Sequence, residues 1–152
     1  MLYSEKLRPF AAAHPCRTID VDGAQFRYIL TGKPEGRTRV FLNGGMNRLE
    51  MWMDYVDALA DTGRVLLFDY PQQLRTNQAL VAGMHAFFAA IKGKILLILP
   101  DQDFFSGQMQ QDLIRLMHEP EIRYVSGGHL STVLKTEDYI RTIRAFLAGQ
   151  PD

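Results

Sequence analysis

The chain has 152 residues, 47% of them hydrophobic and 22% charged, with seventeen basic residues set against seventeen acidic ones. That size and makeup allow one independently folding core and exclude a disordered or fibrous protein, while balanced charge without a long Lys/Arg run argues against nucleic acid or an anionic membrane surface as a partner. The lone Cys16 excludes an internal disulfide framework, and with no Cys or His cluster around it neither a metal nor a cofactor is expected.

At the N-terminus the apolar stretch Phe10–Ala13 is too short for a signal-peptide core, and no segment reaches membrane length, so a cytoplasmic protein is expected. Ile19 and Val21 alternate with polar residues, Asp22-Gly23 can supply a tight turn, and Phe26, Tyr28 and Leu30 alternate again. This pattern predicts an antiparallel hairpin over Arg17–Leu30. Val40-Phe41-Leu42 is continuous rather than alternating, which predicts a strand covered on both faces. Trp52, Tyr55, Val56 and Leu59 recur at helical spacing, and Gly63 is placed for a left-handed cap.

Val65–Phe68 reads as the next buried strand. A helix with the stripe Leu80, Met84, Phe87, Phe88 and Ile91 follows, capped at Thr76 or Asn77 and ended by Gly93. Ile95–Leu99 is another apolar strand, succeeded by a helix bearing Met109, Leu113, Leu116 and Met117 that stops before Pro120. Ile122–Val125 is the last strand, and Thr136 is positioned to cap a final helix with Glu137 and Asp138 in its first turn. Strands alternating with single helices predict an α/β fold: a mainly parallel six-stranded sheet with helices on both faces, entered through the N-terminal antiparallel hairpin. A single domain is expected over residues 1–152, with 1–16 as an extension.

In an open parallel sheet the ligand crevice lies beyond the carboxyl ends of the strands. Four strand exits carry chemistry here: Asn43-Gly44-Gly45-Met46, then Asp69-Tyr70-Pro71, then Asp101-Gln102-Asp103-Phe104, then Ser126-Gly127-Gly128-His129. In this order, with the opening hairpin before them, the residues resemble the α/β-hydrolase fold family over roughly residues 17–147, and the specificity lies in the joint order. The resemblance implies a general base at His129, an acid at Asp103 that fixes the imidazole tautomer, and backbone amides of Gly45 and Met46 that bind a developing oxyanion. It also implies substrate contacts from Phe104 and Phe105 and a small ester-like ligand.

One departure is large. No Gly-x-Ser-x-Gly exists anywhere in the chain. The nucleophile strand, its sharp turn and the cap region of the family belong between the Leu80–Ile91 helix and the Ile95 strand, where only Lys92, Gly93 and Lys94 stand. Of the four serines, Ser4, Ser106, Ser126 and Ser131, the second and fourth follow the acid and the base closely, yet neither sits on a strand-to-helix elbow. Three functions stay open: a hydrolase relative that is weak or inactive for want of its serine, a non-catalytic module that binds or self-associates through an apolar mouth around Phe104, Phe105 and Met46, and a hydrolase with a substitute nucleophile. A homodimer is an open partner for the second. A phosphate site at the Gly44-Gly45 loop lacks both nucleotide motifs.

Blander roles stand beside these. His129 is equally a turn residue, Asp101 and Asp103 equally loop carboxylates, and Met51 and Trp52 equally core residues of a helix stripe. His14, His85 and His118 show no partner pattern, and Cys16 reads as a packing residue. With the serine-bearing unit gone, the Val40 and Ile95 strands are expected to become neighbours, in the order first hairpin strand, second hairpin strand, Val65, Val40, Ile95, Ile122.

Overall fold

The computed structural model describes residues 3–21, 23–35, 38–42, 48–71, 88–91, 93–104 and 107–149. The chain divides into two compact units, Met1–Thr76 and Asn77–Asp152.

The first unit holds helix α1 (Tyr3–Ala13), strands β1 (Arg17–Val21), β2 (Ala24–Gly32) and β3 (Thr38–Phe41), helix α2 (Met53–Leu59) and strand β4 (Arg64–Phe68). β1 pairs antiparallel with β2, β2 antiparallel with β4, and β3 parallel with β4, giving the order β1-β2-β4-β3. The hairpin forms where the alternation predicts it. Gly23 takes a φ of 78°, and its N–H donates to Asp20 Oδ1 at 3.0 Å, which closes the turn.

Register shows which side chains share a face. Ile29 lies opposite Leu67, and Thr31 opposite Val65, while Leu30, Leu66 and Val40 lie in register on the other face. Ile29, Val65 and Leu67 are buried with Leu49, Met53, Tyr55, Val56 and Leu59, so the core sits between one sheet face and α2 with the 3₁₀ turn Leu49–Trp52 before it. Phe41, Trp52 and Tyr55 close one end of this core, with ring centroids 5.0 to 5.8 Å apart. On the second face Ile19, Val21, Leu30 and Val40 remain exposed among the described residues, and for Val40 this corrects the continuous-run reading of its strand. A run of apolar residues records only what each face tolerates, and burial here still follows the two-residue period of a strand.

α2 ends through Arg39 rather than through a left-handed Gly63. The guanidinium donates to Leu59 O at 3.2 Å and Thr62 O at 2.9 Å, satisfying carbonyls that a helix terminus leaves unpaired. Gly63 is nearly extended, with φ 158° and ψ −172°. α1 was not foreseen in the N-terminal extension. It is tied down by Phe10, which is buried, by Lys6 Nζ donating to Asp54 Oδ1 at 2.7 Å, and by His14, whose Nδ1 lies 2.8 Å from Thr31 Oγ1 and Nε2 3.8 Å from Asp57. Those partners stand 17 to 48 residues away, so no local spacing announces them.

The second unit holds β5 (Leu96–Pro100), α3 (Gly107–Arg115), β6 (Glu121–Val125), the one-turn helix α4 (Ser131–Leu134) and α5 (Thr136–Ala148). β5 and β6 form a parallel pair, and α5 packs on both through Tyr139, among the buried residues Leu97, Leu99, Val125 and Phe88. The α3 stripe leaves Met109 exposed and Leu113 half-buried, so this helix buries less than its spacing predicts. Thr136 is also not a cap. Its hydroxyl reaches back to Thr132 O at 3.2 Å and Val133 O at 3.1 Å, trading the cap bond for the carbonyls of α4.

The expected six-stranded, mainly parallel sheet is replaced by a mixed four-stranded sheet and a two-stranded parallel sheet. The predicted pairing of the Val40 strand with the Ile95 strand is absent from the ladders of the described residues. The helix expected over Leu80–Ile91 falls mostly outside the described residues. No helix among those described is long and apolar enough to cross a membrane.

Candidate functional site

The β5–β6 ladder continues into the loops beyond both strands. Asp101 N–H donates to Val125 O at 3.1 Å, and Gln102 N–H to Gly127 O at 2.9 Å. The Asp101 carboxylate accepts the Gly127 N–H at 2.8 Å. Gly127, at φ 141°, occupies backbone space that favours glycine, and a Cβ there would meet Ser131 Cβ at 3.1 Å. These bonds hold the two exit loops of the unit together, so residues one or two positions further on are brought opposite each other.

Those residues are Asp103 and His129. His129 Nδ1 lies 3.3 Å from Asp103 Oδ1 and 3.4 Å from Oδ2, placing the ring nitrogen between both carboxylate oxygens. The Asp103 carboxylate is only 8% exposed and the imidazole 45%. With Nδ1 donating to the acid, Nε2 carries the lone pair available to a proton outside the pair. The separation lies just beyond the usual range for an N–H···O hydrogen bond. Asp101 and Asp103 thus divide the work: the first braces a turn and the second faces the imidazole. Phe104 lies against His129 with ring centroids 4.5 Å apart.

Beneath this pair Ser131 Oγ and Tyr139 Oη form a 2.7 Å hydrogen bond, both residues being buried. Burial raises the Tyr139 phenol above its ordinary value, the bond to Ser131 opposes this, and the negative charge of Asp103 adds to it. The Ser131 hydroxyl is therefore engaged in packing α4 to α5. Ser106 lies outside the described residues. Phe104, His129, Leu130, Leu134 and Lys135 line a groove of about 520 Å³ floored by Gly127 and Gly128.

In the first unit the β4 exit carries a second network. Asp69 Oδ1 accepts the Leu49 N–H at 2.7 Å, Asp69 Oδ2 accepts Arg27 Nη1 at 2.7 Å, and Arg27 Nη2 donates to Glu50 Oε1 at 2.7 Å. The Glu50 hydrogen bond above all raises the Arg27 guanidinium beyond its usual value, against the opposing effect of burial. Asp69, read from sequence only as a strand-end residue, fixes the chain where it enters the α2 region. Gly45, Met46 and Phe105 lie outside the described residues, as does His85.

The Thermoplasma acidophilum protein solved as a predicted CIB-like hydrolase superposes with a TM-score of 0.65 at 14% identity, covering 90% of this chain and 99% of that one. The carboxylesterase CesB of Bacillus subtilis gives 0.66 at 10% identity, covering 98% of each chain. The chain has the α/β-hydrolase fold. No protein-family model and no curated protein sequence matches it. At such identities the likeness speaks for the fold alone.

Asp69, Asp103 and His129 all stand in the loops that leave strands. What sequence reading missed is the support around them: the Asp101 brace, the Ser131–Tyr139 bond, the Arg27 bridge and Lys135 beside the groove. A buried Tyr on an amphipathic helix carries no signal of its own. Asp101, two residues before the acid, was the nearest to legible.

Proposed function

We propose that this chain is an α/β-hydrolase-fold protein related to serine ester hydrolases that keeps their acid and base, Asp103 and His129, without a serine nucleophile, and that it hydrolyses esters weakly or not at all. The observation that carries this reading is the placement of His129 Nδ1 within 3.4 Å of both Asp103 oxygens at the exits of β6 and β5. In that arrangement the acid holds one imidazole tautomer and stabilises the imidazolium, and the base is ready for a proton.

The absence of Gly-x-Ser-x-Gly supports the second half. Without a hydroxyl at the base, proton removal activates nothing, and the engagement of Ser131 by Tyr139 removes the nearest serine in sequence from that role.

Comparing the chain with its His129→Ala variant on p-nitrophenyl acetate tests the reading. The two are expected to agree in kcat/KM within about twofold, because the base has no nucleophile to serve. A drop beyond about a hundredfold in the variant would show a working base and refute the proposal.

A further inference from the structure

We propose that Tyr139 is a positioning residue for His129: by holding Ser131, it fixes the turn that presents the imidazole to Asp103. The proposal rests on the pairing of Asp103 with His129 and adds what sets its geometry.

The stretch from Ser126 to Asp138 carries the base, yet it lies almost entirely at the surface. Within it Ser131, at 3% exposure, is the one buried residue. Its large apolar side chains, Leu130, Val133 and Leu134, are each more than half exposed. Apolar burial therefore does not seat this stretch on the sheet. The buried attachment is polar instead: Ser131 Oγ stands 2.7 Å from Tyr139 Oη, on the helix α5 that packs against β5 and β6. A hydrogen bond prescribes a distance and a direction, which contact between apolar surfaces does not. Leaving either buried hydroxyl unpaired is also costly, so the bond holds the seat.

His129 lies between two anchors. On its N-terminal side Gly127 donates its N–H to Asp101 Oδ1 at 2.8 Å and accepts the Gln102 N–H at 2.9 Å, which ties it to the loop carrying Asp103. On its C-terminal side the Ser131 N–H donates to Gly128 O at 2.9 Å. That bond closes a four-residue turn with His129 and Leu130 at its centre. Leu130, at φ −89° and ψ 9°, has the third-residue geometry of a type I turn. A displacement of Ser131 therefore carries His129 with it. The imidazole is 45% exposed, so the direction in which the turn aims it decides how Nδ1 meets the acid. Burial raises the Tyr139 phenol, and against the opposing bond to Ser131 the Asp103 charge adds to the rise. Tyr139 thus stands within electrostatic reach of the acid while its hydroxyl holds the turn of the base.

The test is the imidazole tautomer of His129, read from nitrogen-15 spectra of the full chain with the ring neutral. The variants are Tyr139→Phe, Ser131→Ala, the two combined, Asp103→Ala and Leu97→Ala. The parent ring is expected mainly in the Nδ1–H form, with its proton on the nitrogen that faces Asp103. Tyr139→Phe, which keeps the bulk of the ring, should lower the ratio of Nδ1–H to Nε2–H by about threefold or more, within the roughly fivefold that one neutral hydrogen bond carries. Ser131→Ala should give the same shift, and the combined variant no more than either alone, because all three remove one bond. Leu97→Ala, which removes buried volume from β5, should lower the urea midpoint of its unit without moving the ratio.

A ratio unmoved by Tyr139→Phe, an equal shift in Leu97→Ala, or single shifts that add in the combined variant would each overturn the proposal. Asp103→Ala separates the positioning role from the pairing. A ratio that responds to Asp103→Ala and not to Tyr139→Phe defeats the role alone, whereas one indifferent to Asp103→Ala defeats the pairing and the role together.

Discussion

Gly32→Ala is expected to destabilise the Met1–Thr76 unit by about 3 kcal/mol or more, read as a lowered urea midpoint of the β-sheet signal. Gly32 ends β2 at φ 84°, where an L-residue alone costs about 1–2 kcal/mol. A Cβ there would stand 2.2 Å from Gly63 O and 2.9 Å from Ala60 O. Both are backbone atoms, and both already accept the Lys33 N–H, at 3.2 and 3.1 Å, so relief requires moving the whole turn that follows α2. Gly23 supplies the control. Its φ of 78° is similar, but nothing lies within 4 Å of the Cβ position, so Gly23→Ala should cost only the conformational term, about 1–2 kcal/mol. Equal effects of the two substitutions would show that the close approach at Gly32 is not tight.

Asp69→Ala is the second large effect, expected at about 3 kcal/mol by the same measurement. The Asp69 side chain is 15% exposed and accepts two 2.7 Å bonds, from the Leu49 N–H and from Arg27. Removal leaves a donor at the buried Leu49 unpaired and one arm of Arg27 without its acceptor, and charged hydrogen bonds of this kind contribute about 1.5–3 kcal/mol each. Arg27 is partly exposed and keeps Glu50, so the loss falls short of two full bonds. Asp69→Asn, which preserves an acceptor for Leu49, should recover about half of it.

How much was legible in the chain follows from the range of each interaction. The hairpin was readable because Asp22-Gly23 and the alternation around it act within a few residues. The strand exits were readable because their order survives without any single motif, which is how Asp103 and His129 were paired as candidates across 26 residues. Burial was read too generously at Val40, which belongs to a continuous apolar run, yet register places it on the less covered sheet face. Thr136 shows the same limit at one residue. Its type suits a cap, but carbonyls of the preceding helical turn offered its hydroxyl a nearer partner. The networks around Arg27, His14 and Tyr139 depend on three-dimensional proximity between elements whose local patterns are ordinary. Sequence spacing has no means of expressing them.

A serine-directed fluorophosphonate tests most directly whether Asp103 and His129 stand without a nucleophile. Incubated with a large excess of the reagent and followed by intact mass, the chain is expected to keep its unmodified mass. One stoichiometric adduct on a single residue, formed by the protein and lost in His129→Ala, would contradict the account and restore a hydrolase with its nucleophile in place.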